Sequence, residues 1–569
     1  MRMRQHKGAV FESSLRPFNA DDVARFEAEN LWREETFLDD FLVAAGRHPD
    51  KAAVVSYSKG TVLPSTVTYG QLGALVDRFA AQLLELGVQP ADVVTIQVPN
   101  GWEGAALALA TMRVGAVPNP IPIIYREREL RFMLAHAGTK VLFVPEEFRG
   151  YDYATMAQGL KAETPTLKHV FVLNASRETP GCSSFEETFL GSSGQIDADV
   201  CEALDRRRPG SDDIAMLVFT SGTTGTPKAA MHTYNTAWSG YHRVVTSALE
   251  LTGDDVAFMA STLGHLTGFI HGMLVPLSTG QKIVYQDVWD VEGLLDAIAV
   301  EGITWTLSAT TFALDMIEAQ KQRPRTQETF RAFACGGAAI PASLAESMHK
   351  LFGTSLVSLW GCSETGIASI HQLGADVHTL GASDGFRVPW QDVRIVDEHG
   401  QSVLTGATGS LQVRGPSVFA GYFKQPELTA AAFTADGWFD TGDLGRVTPD
   451  GGIRIEGRTK DIIIRGGQNI SAVEIENALF THEHVQEAAV VAYPDERLGE
   501  RVCAVVVPAG PAPTLDDLVK HLEKVGMSKQ FWPQKLVVTQ SLPRTPSGKI
   551  KKFVLTDQLA QGGTVGVGG

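Results

Sequence analysis

The sequence predicts an α/β protein. It has a large N-terminal region of parallel-sheet α/β subdomains that closes in a β-rich subdomain, then a small α+β C-terminal unit. Three observations predict it. Helical and strand patterns alternate through residues 66–145 and again through 281–308. From about residue 387 the texture changes to short β segments separated by turns. A third texture starts near residue 458, so the expected division is 1–457 and 458–569. Alternation of this kind is the grammar of βαβ units, in which helices cover a parallel sheet.

The elements follow in order. TYGQLGALVDRFAAQLLELGV (68–88) carries apolar residues at helical spacing and ends near Gly87. DVVTIQV (92–98) reads as a buried strand, ALALATMRVGAV (106–117) as a helix and TKVLFV (139–144) as a strand. IAMLVF (214–219) is a buried strand, QKIVYQ (281–286) and ITWTLS (303–308) are strands, and VEGLLDAIAV (291–300) is a helix between them. VRIVDEHGQS, GSLQVRG and GIRIEG supply the short β segments. In the C-terminal unit, 474–480 and 514–525 read as helices and 501–508 as a strand, with 485–493 helix or strand leading into a strand. The tail QGGTVGVGG has nothing to pack and is expected to be disordered. No internal repeat is present.

Composition limits the partners. The 569 residues are 44% hydrophobic and 20% charged, enough for several packed cores. The net charge of −16 disfavours nucleic acid or an anionic membrane as main partner, so an anionic substrate needs a local cluster of cations. Five scattered cysteines without a CxxC read as reduced thiols of a cytoplasmic protein. MRMRQHKGAV is basic but lacks the apolar stretch of a signal peptide. The most apolar region, 104–124, is cut by Arg113 and three prolines and is too broken to span a bilayer. No integral membrane segment is expected, and a homodimer is left open.

TSGTTGTPK (220–228) follows the 214–219 strand. A loop so rich in Gly, Ser and Thr offers backbone N–H groups, hydroxyls and one ammonium, the groups that hold phosphate. It is not a Walker A loop. Pro227 precedes the lysine and cannot donate an N–H, and Ala229 follows it, leaving no hydroxyl for Mg²⁺. Composition alone leaves a mobile surface loop open as the other reading.

This string resembles the phosphate-binding signature of the adenylate-forming superfamily, which holds acyl-CoA synthetases, aryl-CoA ligases, luciferases and adenylation domains of peptide synthetases. The resemblance assigns Thr220, Ser221, Gly222, Thr223, Thr224, Gly225 and Lys228 to nucleotide binding, and Thr223 with Glu364 to the metal. WGCSETG (360–366) resembles the superfamily's aromatic-Gly-x-Thr-Glu station. It implies that an aromatic face stacks on adenine, a hydroxyl meets the α-phosphate and a carboxylate holds Mg²⁺. Trp360 replaces the usual Tyr and Ser363 the usual Thr; Gly361 and Cys362 complete the nucleotide set. In GWFDTGDLG (437–445), Asp443 is expected to accept hydrogen bonds from both ribose hydroxyls, since a carboxylate has only acceptors. In GRTKDIIIRGGQNISAVEIE (457–476), Arg458 is expected on ribose or phosphate and Lys460 at the hinge. Gly466 and Gly467 leave room for a thiol arm. PRTPSGKIKK (543–552) carries Lys549 where the superfamily has its catalytic lysine, although a lone lysine in such a loop is ordinarily solvated. His265 in GHLTGF (264–269) is expected at the wall of the acyl pocket as a gate, with Gly268 beside it. CGGAAIP (335–341) supplies Gly336, Gly337 and Ala338 as the opposite wall and adenine floor. The stations occur in family order over nearly the whole chain.

The resemblance implies a two-step ligase that uses ATP, Mg²⁺ and coenzyme A. Attack of a carboxylate on the α-phosphate joins two anions, so cations must be placed in advance. Glu364 through Mg²⁺, Lys549 and Arg458 are expected around the α-phosphate, with 220–228 holding pyrophosphate. Rotation about Lys460 then withdraws Lys549, and a thiol attacks the acyl-adenylate. HLTGFIHGM (265–273) has no carboxylate to pair an α-ammonium, which argues against an amino acid and for an apolar acid. GHLTGF and ITWTLSATTF look most like ligases for medium-chain and alicyclic acids such as cyclohexanecarboxylate. Aryl and longer acids, loading of a carrier protein instead of CoA, a luciferase-like oxygenase, and a non-catalytic nucleotide sensor are the other readings.

Overall fold

A computed structural model describes residues 11, 18–61, 63–191, 196–220, 227–336, 340, 342–458, 462–465, 468–495, 499–525, 527, 529–545 and 549–560. The C-terminal QGGTVGVGG tail lies outside them.

The largest sheet has nine strands. In order across it these are Phe386–Arg387, Gly366–Ile370, Ser355–Cys362, Ala332–Gly336, Trp305–Ser308, Val256–Met259, Lys282–Gln286, Ala52–Tyr57 and Ser65–Thr68. The six strands from Ser355–Cys362 to Ala52–Tyr57 are parallel, and both edges turn antiparallel. A second, all-parallel sheet runs Val117–Pro120, Val93–Ile96, Val141–Pro145, His169–Leu173, Ser183–Ser184. The β-rich stretch forms an antiparallel sheet of Asp392–Val396, Gly409–Arg414, Phe439–Val447 and Ile453–Arg458. Residues beyond 461 build a separate sheet from Gln468–Ser471, Ile462–Arg465, Gly499–Pro508 and Val485–Asp495, with Lys535–Val538 added in parallel. Val485–Asp495 is a strand throughout.

The helix expected at 68–88 spans Tyr69–Glu85. Thr68 caps it in a reciprocal capping box with Gln71, and Leu72, Val76, Phe79, Ala80 and Leu83 form its buried face. The helix expected at 106–117 spans Trp102–Arg113 instead. Gly115 (φ 80°) turns the chain, and Val117–Pro120 is already a strand. That helix is buried on every side from Gly104 onward, because it lies in a core shared by both parallel sheets. Arg113, 5% exposed, is held there by Asp77 at 3.0 Å and Asp205 at 2.7 Å.

The carboxyl ends of the parallel strands matter for function. Ala260–His265 follows Val256–Met259, Gly336 ends its strand, and Trp360–Cys362 ends another. Open parallel sheets bind ligands at this edge. Among the described residues no helix is long and apolar enough to cross a membrane. The five cysteines are free thiols.

Candidate active site

The hydroxyl-rich loop is closed by a hairpin. Ile214–Thr220, buried for most of its length, pairs antiparallel with Lys228–Thr233 so that Thr220 stands opposite Lys228. Ser221, Gly222, Thr223, Thr224 and Gly225 lie outside the described residues. Met231 and Ala230 pair in turn with Gly421–Tyr422. This register puts Lys228 Nζ 5.0 Å above the Tyr422 ring. Tyr422 donates its hydroxyl to Glu364 Oε1 at 2.9 Å. A cation and a carboxylate from two distant motifs therefore share one phenol.

The 360–366 segment is tied down through its backbone. His232 Nε2 donates to Ser363 O at 2.6 Å, while its Nδ1 takes the Thr236 hydroxyl at 3.1 Å. Burial holds the His232 pKa down to about 4, so the ring is neutral and this tautomer is fixed. Phe419 N–H donates to Glu364 O at 2.8 Å, and the Ser417 hydroxyl to Thr365 O at 2.6 Å. Gly366 (φ +67°) closes the turn, and a Cβ there would lie 2.8 Å from Gly240 Cα. Cys362 sits in this segment, its Sγ 3.3 Å from Thr365 Oγ1. Burial, then the charge of Glu364, pushes its thiol up to about 12, so it is not a nucleophile.

Asp443 is the most enclosed carboxylate of the site, 5% exposed. Cross-strand register pairs it with Arg458, whose Nε approaches Oδ1 to 3.0 Å. Trp360 Nε1–H donates to Oδ2 at 3.0 Å. Burial raises the Asp443 pKa, and Arg458, Trp360 and Lys549 oppose that rise. Trp360 is 8% exposed, so little of its face is left for a nucleobase and its polar edge is committed to Asp443.

Lys549 arrives from the C-terminal unit. The residue as a whole is exposed, but its ammonium end is desolvated. Burial and the charge of Arg458 lower its pKa; Asp443, Cys362 and Glu364 raise it. The same ammonium depresses His265. Lys549 is thus within electrostatic reach of Arg458, Asp443, Glu364 and His265, although these come from distant parts of the chain. The backbone on either side is tied together: Thr545 N–H donates to Lys549 O at 2.7 Å and Lys551 N–H to Pro543 O at 2.7 Å. Two ion pairs fix the ends, Arg544–Glu487 at 2.6 Å and Lys552–Glu476 at 2.8 Å.

His265 caps the short helix Leu266–Phe269, its Nδ1 accepting Thr267 N–H at 3.2 Å. Burial and then Lys549 lower its pKa to about 4, leaving a neutral ring with the proton on Nε2. It therefore precedes the helix rather than riding on it. Gly268 is a packing glycine: a Cβ there would meet Thr262 O at 2.0 Å. Gly336 is the last residue of its strand. Gly337, Ala338, Lys460, Gly466 and Gly467 lie outside the described residues. An apolar void lined by Phe258, Thr306, Ser308 and Phe312 under the large sheet measures about 10 Å³, room for one water and not for an acyl chain.

The structure thus brings together Lys228, Trp360, Gly361, Cys362, Ser363, Glu364, Asp443, Arg458, Lys549 and His265. Sequence reading missed Tyr422, His232, Glu476 and Glu487. Tyr422 stands in GYFK, a short strand whose partner in space is the strand after the Gly/Ser/Thr loop; nothing in its local sequence marks it.

The family model described as AMP-binding enzyme matches residues 41–423, and that described as AMP-binding enzyme C-terminal domain matches 474–549. The medium-chain fatty-acid–CoA ligase of Escherichia coli is 34% identical over 544 residues, covering 95% of this chain and 94% of that protein. A salicyl-AMP ligase / salicyl-S-ArCP synthetase of Mycobacterium tuberculosis is 32% identical, covering 95% and 94%. Among solved structures, ATP-bound MatB from Rhodopseudomonas palustris superposes with a TM-score of 0.78 at 27% identity, covering 92% of this chain and 98% of that one. Apo MbtA of Mycobacterium smegmatis superposes at 0.70 with 30% identity, covering 97% and 100%. From Phe41 through Lys549, this chain belongs to the AMP-binding enzyme family, the adenylate-forming acyl and aryl ligases.

Proposed function

We propose that this ligase activates an apolar carboxylic acid, a medium-chain fatty or alicyclic acid, and delivers it to the thiol of coenzyme A. In the first step a carboxylate oxygen bonds to the α-phosphorus of ATP, and the bond from that phosphorus to the bridging oxygen of pyrophosphate breaks. In the second, the thiol sulfur bonds to the acyl carbon, the bond to AMP breaks, and the thiol proton goes to solvent. The observation that carries the reading is that Lys549, on the C-terminal unit, lies within electrostatic reach of Arg458, Asp443 and Glu364. Two anions approach there, and cations fixed beforehand offset their repulsion.

The roles follow. Lys549 and Arg458 carry the positive charge at the α-phosphate, and Lys228 with the 220–225 loop binds the pyrophosphate. Asp443, a buried carboxylate with only acceptors, takes the ribose hydroxyls. Glu364, with Thr223, is suited to Mg²⁺, which prefers one or two carboxylates plus phosphate oxygens. When bound, that ion neutralises phosphate charge. His265, neutral, and Gly336 with Gly337 border the acyl group. Lys460 is the hinge between the two units, and Gly466 and Gly467 border the thiol arm.

The apolar acid is supported by the buried stretch Leu266–Leu274, which contains no carboxylate, and by the Escherichia coli relative. A second reading, loading of an aryl or fatty acid onto a carrier protein, is favoured by the salicyl-S-ArCP relative. ATP–pyrophosphate exchange across a panel of carboxylic acids tests the first step. Mass detection of acyl-CoA against acyl-carrier product separates the two readings. Absence of exchange with every acid refutes both.

A further inference from the structure

The Asp443 carboxylate is held asymmetrically. Oδ2 receives the Trp360 indole N–H at 3.0 Å. Oδ1 faces Arg458 Nε at 3.0 Å in an ion pair. A carboxylate that must meet two vicinal hydroxyls needs a fixed rotation about its Cβ–Cγ bond, because each hydroxyl wants a lone pair in a set direction. Arg458 cannot supply this alone. Its side chain is 49% exposed, and an ion pair constrains distance more than direction. Trp360 can. Its ring is 8% exposed, packed in a core with Ala230, Ile395, Leu411, Val413 and Phe439, so the indole cannot swing. A tyrosine or phenylalanine at 360 has no N–H at this place on the ring.

We propose that Trp360 is the positioning residue for recognition of the nucleotide sugar: its indole N–H locks Asp443 in the rotation that meets the ribose hydroxyls. The inference rests on the reading of this site as an ATP site. It makes discrimination between ribose and deoxyribose a property of the Trp360–Asp443 pair rather than of Asp443 alone. Stacking on adenine is then the lesser role of this side chain.

The test is binding, so it needs no knowledge of the acid. Affinities for ATP, 2′-deoxy-ATP and 3′-deoxy-ATP are measured by calorimetry on the full chain with Mg²⁺. Wild type is compared with Trp360→Phe and with site-specific replacement of the indole by benzothiophene, which keeps shape and core filling but replaces N–H by sulfur. The expected result is that wild type prefers ATP over the deoxy nucleotides and that both variants lose roughly tenfold in ATP affinity. The deoxy nucleotides should change little, so the preference collapses. Equal weakening of all three nucleotides, or an unchanged preference, overturns the proposal, as does a wild type that binds ATP without preferring it. If the phenylalanine variant does not fold, the benzothiophene protein decides alone. A wild type that binds no ATP at all sinks the ATP reading itself.

Discussion

The wall that carries Glu364 and the loop that carries Lys549 are held by different forces. The wall is fixed by buried, mostly neutral hydrogen bonds: His232 to Ser363, Ser417 to Thr365, Tyr422 to Glu364. The loop is fixed by a short turn and two ion pairs, Arg544–Glu487 and Lys552–Glu476. Neutral bonds inside a core give one arrangement and resist water. Ion pairs within the C-terminal unit hold a turn's shape without tying it to the wall. The difference suits a site in which the wall serves both half-reactions and the lysine only one.

The sharpest way to break this comparison is Lys549→Ala. Removing one preset charge at the developing charge of a transition state costs roughly 10²–10³ in rate. Adenylate formation, followed by pyrophosphate exchange, should fall by about that factor. Thioester formation from supplied acyl-adenylate should stay within a few-fold. Equal loss in both half-reactions would mean that the lysine serves the wall too.

Acid should attack the protein through His232 of the wall and through His265 and His271. His232 and His265 are held at about 4 and His271 at about 3, each chiefly by burial. An unfolded histidine titrates near 6.5. Between those values the unfolded chain binds more protons, so stability rises with pH there and is lost as pH falls from 6.5 toward 4. At pH 5.5 each histidine costs about 1 kcal/mol relative to pH 7.5. Urea midpoints at the two pH values measure it; a pH-independent midpoint would show that these rings are not buried neutral.

Glu476→Gln probes the loop. The amide keeps an acceptor for Val490 N–H, which donates to Oε1 at 2.6 Å, but leaves Lys552 without its charge partner. The pair is only 10–17% exposed, so its loss is felt more than that of an open surface pair. A loosened turn places Lys549 less well, and adenylation should fall about tenfold, the equivalent of 1–2 kcal/mol. Thioester formation should be spared, as with Lys549→Ala; stopped-flow rates of each half-reaction decide.

Sequence reading reached the wall and the loop unequally. Helix Tyr69–Glu85 was legible because its apolar residues repeat at helical spacing behind a Thr cap. Helix Trp102–Arg113 was displaced by several residues because it is apolar all round, and a side chain pattern without a polar face has no phase to read. The short π-helical turns Trp238–His242 and Ile270–Leu274 left no trace at all in the sequence. In the site, Glu364, Asp443 and Lys549 stood out through the resemblance of their motifs to the superfamily's stations; taken alone, they read as well as a capped turn, a turn-forming Asp and a solvated lysine. Tyr422 did not, because its meaning comes from a glutamate 58 positions away. Glu476 looked like any surface acid on an amphipathic helix, and only the fold sets Lys552 against it.

Tyr422→Phe sharpens the comparison from the wall side, with the smallest effect. The phenol orients Glu364 by one donated hydrogen bond and stands under Lys228. Phenylalanine keeps the ring, hence the contact with Lys228 and the core beneath, and removes only the donor. Glu364 remains anchored through its own carbonyl, which accepts Phe419 N–H at 2.8 Å, so its backbone does not move. What is lost is the preferred rotation of one carboxylate. If Glu364 is the protein's ligand to Mg²⁺, the Mg²⁺ concentration for half-maximal adenylation should rise about threefold while the saturated rate is kept, the loss of a modest orienting bond. A drop in saturated rate with no change in Mg²⁺ dependence would place Glu364 in the chemistry rather than at the metal. The wall would then act through its charge, as the loop does, and the contrast between the two would narrow to their mobility.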